Sequence, residues 1–169
     1  VKLIGGKAAN FAELLKIKNP AIPTPENPFA IPFYYYCQHI KNNQIEPLIK
    51  RLLADEQFKT NQDYRKEKLN ELQEKILQSP IDPKLVEMVL SKIDNVKSFC
   101  SFRFRSSSNA EDLEFFSGAG LYDSFSAIKG DESKTIEMAI KKVWAGLWNI
   151  RAFDEREYYK IDQLSAAMG

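Results

Sequence analysis

Apolar residues recur along this chain with two different periods. From Phe33 to Ile93, and again from Ile136 to Trp148, they return every three or four positions, as in helices with one buried face. From Cys100 to Arg105 they alternate. That places Cys100, Phe102 and Phe104 on one face of a strand and Ser101, Arg103 and Arg105 on the other. The clearest helix carries Ile136, Ile140, Val143, Trp144, Leu147 and Trp148 on one stripe. Full burial of such side chains stabilises by about 1.5–3 kcal/mol each. Between Gln44 and Ile93, Tyr64, Leu69, Leu72 and Ile76 trace a second stripe, with Glu67, Lys68, Glu71 and Lys75 off it and Glu71 spaced to pair with Lys75. Ser79-Pro-Ile-Asp-Pro83 ends that helix. Asp82 is a good N-cap with Pro83 at the first helical position, and Leu85, Val86, Val89, Leu90 and Ile93 continue as a short amphipathic helix. A further helix starts after Pro32, and its aromatic run Phe33-Tyr-Tyr-Tyr36 reads as packing. At the N-terminus, Ala8, Phe11, Ala12 and Leu15 predict a buried stripe on a helix that follows a glycine pair. Ser165-Ala-Ala-Met-Gly169 reads as the entry to a strand. The pattern predicts an α+β fold: a small sheet with packed helices and a helical insert over about 44–95.

Composition narrows the picture. The 169 residues amount to one domain, and 44% hydrophobic with 12% aromatic residues is enough for a real core. Lys plus Arg is 24 and Asp plus Glu is 23, so the net charge of +1 gives no field for a polyanion and argues against a nucleic-acid partner. No apolar run has membrane-spanning length and no secretory pattern opens the chain, so the expectation is a cytoplasmic protein with no membrane partner. Cys37 and Cys100, in apolar surroundings, are expected to be reduced, buried thiols. His39 is the single histidine and reads as structural. No His/Cys cluster suits zinc, and no Ser/His/Asp set has motif support. Glu111 and Asp112 face different ways, which makes a poor acid–base pair. Asn109 with Asp112 reads as a helix-start cap. For Arg151 and Arg156, ion pairs with Asp154, Glu155 or Glu157 stand beside phosphate contact as open alternatives.

The candidate chemistry lies in two places. The strand ending at Arg105 delivers a guanidinium into a loop rich in hydroxyls, backbone N–H groups and glycine, running through Ser117-Gly-Ala-Gly-Leu-Tyr-Asp-Ser124. Arginine offers a planar fork for phosphate oxygens, and glycine lets backbone approach a ligand closely. Gly5-Gly-Lys7 opens the N-terminal helix, where first-turn N–H groups and the helix dipole favour anions. The spacing is not that of a Walker A loop. Either segment alone is weak support for phosphate binding.

Together and in this order, the segments resemble the nucleotide-binding domain shared by phosphoenolpyruvate synthase and pyruvate phosphate dikinase, with rifampin phosphotransferase and glucan water dikinases similar there. The resemblance rests on Gly5-Gly-Lys-Ala-Ala-Asn-Phe-Ala-Glu-Leu14, Pro23-Thr-Pro-Glu-Asn-Pro-Phe-Ala-Ile-Pro32, Arg105-Ser-Ser-Ser-Asn-Ala-Glu-Asp-Leu113, Ser117-Gly-Ala-Gly120 and Val143-Trp-Ala-Gly-Leu-Trp-Asn-Ile-Arg-Ala152. It covers nearly the whole chain. Two departures stand out. Asn27-Pro28 occupies the place of a glycine before Phe29, and Glu114 follows Leu113 where proline is common.

The resemblance implies a partial ATP-grasp-like lobe that holds ATP with Mg²⁺. It implies a phosphotransferase that passes the β-phosphoryl group of ATP to a histidine on a separate phosphohistidine domain. By carry-over, Lys7 and Arg105 contact the ATP phosphates as catalytic and binding residues. Gly120, through backbone, and Ser124, through its hydroxyl, belong to a loop that covers them. On this reading the 169 residues are the N-terminal part of the ATP-binding domain. The second lobe, the metal ligands, the phosphohistidine domain and the acceptor domain would lie outside it, and this piece alone would be inactive. A glucan-dikinase-like parent and a non-catalytic binding or assembly module are the alternatives.

Overall fold

The computed structural model describes residues 2–17, 23–25, 27–94, 100–110, 112–113, 116–118 and 120–169. Glu26, Glu111, Glu114 and Ala119, which figure in the motifs above, lie outside the described residues. Among the described residues there are eight helices and four short strands. In chain order they are α1 (Gly5–Leu14), α2 (Phe33–Asn42), α3 (Glu46–Ala54), α4 (Glu56–Thr60), α5 (Gln62–Gln78), α6 (Pro83–Asp94), β1 (Ser101–Phe104), β2 (Asp112–Leu113), β3 (Phe116–Ser117), β4 (Phe125–Ile128), α7 (Ile136–Gly146) and α8 (Ile150–Tyr158). The fold is α+β, as the two periods predict.

Helix α7 is the centre. It packs against α5 on one side and against β4 and β1 on the other. Ala139, Ile140, Val143, Trp144 and Ala145 are buried on it, and Leu147 and Trp148 follow in the same interior. Trp144 meets Tyr36 at 6.2 Å and the His39 ring at 5.0 Å between ring centroids. The Trp148 indole N–H donates to Tyr36 Oη at 2.9 Å, so a large aromatic group is buried without an orphan donor. Leu69, Leu72 and Ile76 of α5 enter this core, and so do Leu85, Val89 and Ile93 of α6. Side-chain caps start the helices where sequence chemistry allows. Asp55 caps α4, Asn61 caps α5, Thr135 caps α7 and Asn149 caps α8. Asp82 accepts the Lys84 N–H at 2.9 Å before α6, as its place ahead of Pro83 predicts.

β1 and β4 pair antiparallel, with Ser101 opposite Ile128 and Phe104 opposite Phe125. Phe102 and Phe104 are half-buried while Ser101, Arg103 and Arg105 are exposed, which is the predicted alternation. β2 and β3 form a separate two-stranded ribbon. The C-terminal residues pair with the stretch after β1: Ser107 exchanges backbone hydrogen bonds with Gly169, and Ser108 bridges to Met168.

Four expectations are corrected. The stripe Ala8, Phe11, Ala12 and Leu15 on α1 is not buried; Gly5 and Gly6 are that helix's only buried residues, so it docks by its N-terminal backbone. Cys37 and Cys100 are free but exposed. The inward side of α2 is taken by Phe33, Tyr36, His39 and Ile40, and Cys100 sits in a bend before β1. Glu71 pairs with Lys68, at 2.7 Å, and not with Lys75; the neighbouring stem of Lys68 reaches it across one turn. Asn109 starts no helix. Its side chain accepts from the Ala167 N–H and donates to the Ser165 carbonyl, both at 2.8 Å, and so ties the loop to the C-terminal segment. His39 is structural as expected: it is buried, with Nε2 at 3.1 Å from the Ile76 carbonyl oxygen.

Candidate functional site

The site is assembled from backbone contacts between distant segments. Gly5 has φ +82, a left-handed conformation that favours glycine. A Cβ there would lie 2.5 Å from Ser107 Oγ and 2.9 Å from both the Ser107 carbonyl carbon and the Ser108 carbonyl oxygen. The first turn of α1 therefore rests directly on the serine run that follows Arg105. Ser107 Oγ accepts the Ala8 N–H at 3.0 Å, joining positions 99 apart in sequence. It takes one of the first-turn donors that a helix leaves unsatisfied. Ser106, Ser107 and Ser108 are all buried, and among the described residues Ser106 Oγ has no hydrogen-bond partner.

Lys7 is exposed and leaves α1 one residue before the Ala8 anchor; Arg105 is exposed and lies two residues before Ser107. Ser124 immediately precedes the other strand, β4. The β1–β4 register ends with Phe104 opposite Phe125, and Arg105 and Ser124 are the next residues along the chain at that end of the pair. Gly120 is exposed, with φ +80 and open space where a Cβ would stand. The segments carrying Lys7 and Arg105 are thus joined through Ser107, and Ser124 flanks the same end of the β1–β4 pair as Arg105. Arg103, on the same strand face as Arg105, donates to Ser126 Oγ across the pair at 3.1 Å. Asn27, at the place before Pro28 noted above, has φ +46, and asparagine tolerates that left-handed region better than most residues. An open groove of about 820 Å³ lies elsewhere, between α6, β1, β4 and the turn before α7. Leu90, Ile93, Phe102 and Thr135 are among its lining, and none of the four predicted site residues is.

Sequence reasoning missed two residues that hold the stretch after Gly120. Arg156 is not on the surface: it is fully buried, and among the described residues no carboxylate pairs with it. Its Nε donates to Gln163 Oε1 at 2.7 Å and its Nη1 to Tyr122 Oη at 3.1 Å, while Nη2 is buried without a partner. The guanidinium also lies 5.8 Å from the Trp148 ring centroid. Asn149 caps α8 through Oδ1, and its Nδ2 donates to the Leu121 carbonyl at 2.8 Å. No local pattern distinguishes Arg156 from a surface arginine, because its neighbours Asp154, Glu155 and Glu157 are charged. Only the cap preference of Asn149 was legible. Burial pushes the Tyr36 hydroxyl well above the usual phenol range, although the Trp148 N–H and the Arg156 charge act against it.

A family model described as the pyruvate phosphate dikinase AMP/ATP-binding domain matches residues 1–169. Phosphoenolpyruvate synthase of Aeropyrum pernix is 29% identical over 98% of this chain. Rifampicin phosphotransferase of Bacillus cereus is 33% identical over 89% of it. Phosphoenolpyruvate synthase of Escherichia coli is 25% identical over 99%. The chain spans 20%, 17% and 21% of those three relatives' own lengths.

Proposed function

Because the chain belongs to the pyruvate phosphate dikinase AMP/ATP-binding domain family, we propose that it is one lobe of a nucleotide clamp whose sheet edge grips the phosphates of ATP. In this reading Lys7 and Arg105 neutralise phosphate charge. Gly120 offers backbone N–H to the phosphates, and Ser124 its hydroxyl. Phosphoryl transfer depends mostly on positioning and charge neutralisation, which cations and N–H donors supply. The observation that carries the proposal is the docking of the Gly5-Gly6 turn on Ser107, which joins the two cationic segments at one edge.

The lobe would serve a larger phosphotransferase that passes the β-phosphoryl group of ATP to a histidine on another domain, with an ATP-grasp-like arrangement completed by a second lobe. The 44–95 region would be a helical insert on this lobe. Among the described residues no group of three or more His, Cys, Asp or Glu could hold a metal ion. Relatives named for different substrates match at similar identity, so the proposal stops at the nucleotide step. A cytoplasmic setting fits the proposal, and among the described residues no helix is long and apolar enough to cross a membrane.

The test is phosphorylation from ATP labelled at the β position, in the longer protein that would carry this lobe. Arg105→Ala and Lys7→Ala are each expected to slow it roughly a hundredfold or more with the fold retained. Wild-type rates in either variant would remove that residue from the mechanism. If this lobe supplies only part of the clamp, the 1–169 chain alone is expected to bind ATP weakly. Sub-micromolar binding by calorimetry would overturn the division of the site.

A further inference from the structure

We propose that Arg156 and Asn149 are positioning residues that set the turn carrying Gly120, acting through Tyr122 and the Leu121 carbonyl; this rests on the reading of that turn as a phosphate-covering element. Three observations converge. The turn is held at two consecutive residues directly after Gly120: Asn149 Nδ2 donates to the Leu121 carbonyl, and Arg156 Nη1 donates to the Tyr122 hydroxyl. Both anchors come from the start and body of α8, a helix fixed in the core by Ala152 and Phe153. Gly120 itself is exposed and meets nothing where a side chain would stand. A rigid base thus supports an exposed tip.

Arg156 is an expensive way to tie a loop if stability is its only purpose. A fully buried guanidinium with no paired carboxylate and one unpartnered nitrogen is poorly compensated, and apolar replacements of similar volume usually serve a core better. Its fork does what an apolar side chain cannot. It donates to Gln163 on one side and to the Tyr122 hydroxyl on the other, so the group that holds the Tyr122 ring is itself fixed by a hydrogen bond to a separate segment. Gln163 is held in turn, donating to the Phe153 carbonyl at 3.1 Å and to Glu157 at 2.8 Å. The chain of contacts runs from Glu157 through Gln163 and Arg156 to Tyr122.

The test uses Tyr122→Phe, which deletes one hydroxyl, and Asn149→Asp, which keeps the α8 cap and loses the donor to Leu121. In the 1–169 chain, hydrogen exchange of residues 120–124 should accelerate in both variants while α7 and α8 stay protected. Unchanged exchange there, or an even loss of protection across all elements, would overturn the proposal. In the longer protein, both variants should lower kcat/KM for ATP roughly ten- to a hundredfold, with the acceptor's KM unmoved. If Arg105→Ala abolishes phosphorylation while both variants keep wild-type kcat/KM, the positioning role fails and the nucleotide reading stands. If Arg105→Ala is itself wild type, the nucleotide reading fails and takes the positioning role with it. Should Tyr122→Phe not fold, Asn149→Asp decides alone.

Discussion

Helices α1 and α7 are of similar length, and they are held in opposite ways. α7 is fixed by its side chains: five of its eleven residues are buried apolar groups packed on α5, β1 and β4. α1 has an apolar pattern as well, yet Leu14 is 54% exposed, the helix's buried residues are Gly5 and Gly6, and the Ala8 N–H is anchored on Ser107. The difference separates two kinds of order. Around α7, hydrophobic burial fixes position with many small, non-directional contributions. At the α1 edge, a few directional contacts and the absence of a Cβ do the same. The first gives stability; the second leaves cationic side chains exposed at a defined place.

The comparison can be broken from either side. Trp144→Ala removes the ring that Tyr36 and His39 pack on, and it should lower unfolding free energy by about 3–5 kcal/mol in urea titration. A loss under about 1 kcal/mol would show that α7 is not the anchor. Gly5→Ala forces a Cβ against Ser107 in a left-handed backbone, at a local cost of about 1–3 kcal/mol. Its expected signature is selective: α1 becomes open to hydrogen exchange while the α7 core stays protected. A global drop in protection would mean that the two regions are one cooperative unit. Ser107→Ala deletes only the acceptor for the Ala8 N–H and should weaken α1 docking by about 1 kcal/mol, read by the same exchange experiment.

The smallest effect expected is that of pH. Burial holds the His39 imidazolium below its ordinary range, and nearby Lys141 acts in the same direction; the Ile76 carbonyl and Glu137 oppose them. The folded state then binds a proton less readily than the unfolded one. Stability from this group is full above the unfolded value of about 6.5 and declines as pH falls through it toward the lower folded value. Urea midpoints at pH 7.5 and 5.5 should differ in that sense, and His39→Gln should flatten the difference. An opposite slope that persists in wild type but not in the variant would contradict the assignment.

How much was legible follows from the same division. The helices whose stripes enter the core were readable, because burial acts through residue type and period: Leu69, Leu72, Ile76, Val143 and Trp144 all lie inside. The strand β1, which ends at Phe104 just before Arg105, was readable from alternation. What failed was local inference about groups whose partners come from far along the chain. The spacing of α1 is amphipathic, but nothing in it shows that no surface waits to cover Ala12 or Leu15. Asn109 looks like a cap until Ala167 and Ser165 arrive beside it. Arg156 sits among acids and yet turns inward to Gln163 and Tyr122. Residue-level motifs suggested that Lys7 and Arg105 belong together; the contact that joins their segments runs through Ser107, whose role no pattern announced.

The inward-facing Arg156 also bears on any attempt to harden this chain by laboratory evolution. A screen that rewards survival at high temperature alone would favour greasy replacements at positions 156 and 163. Such winners would resist heat better and grip the turn beside Gly120 less firmly, so thermal selection on this scaffold needs a nucleotide-dependent readout run alongside it.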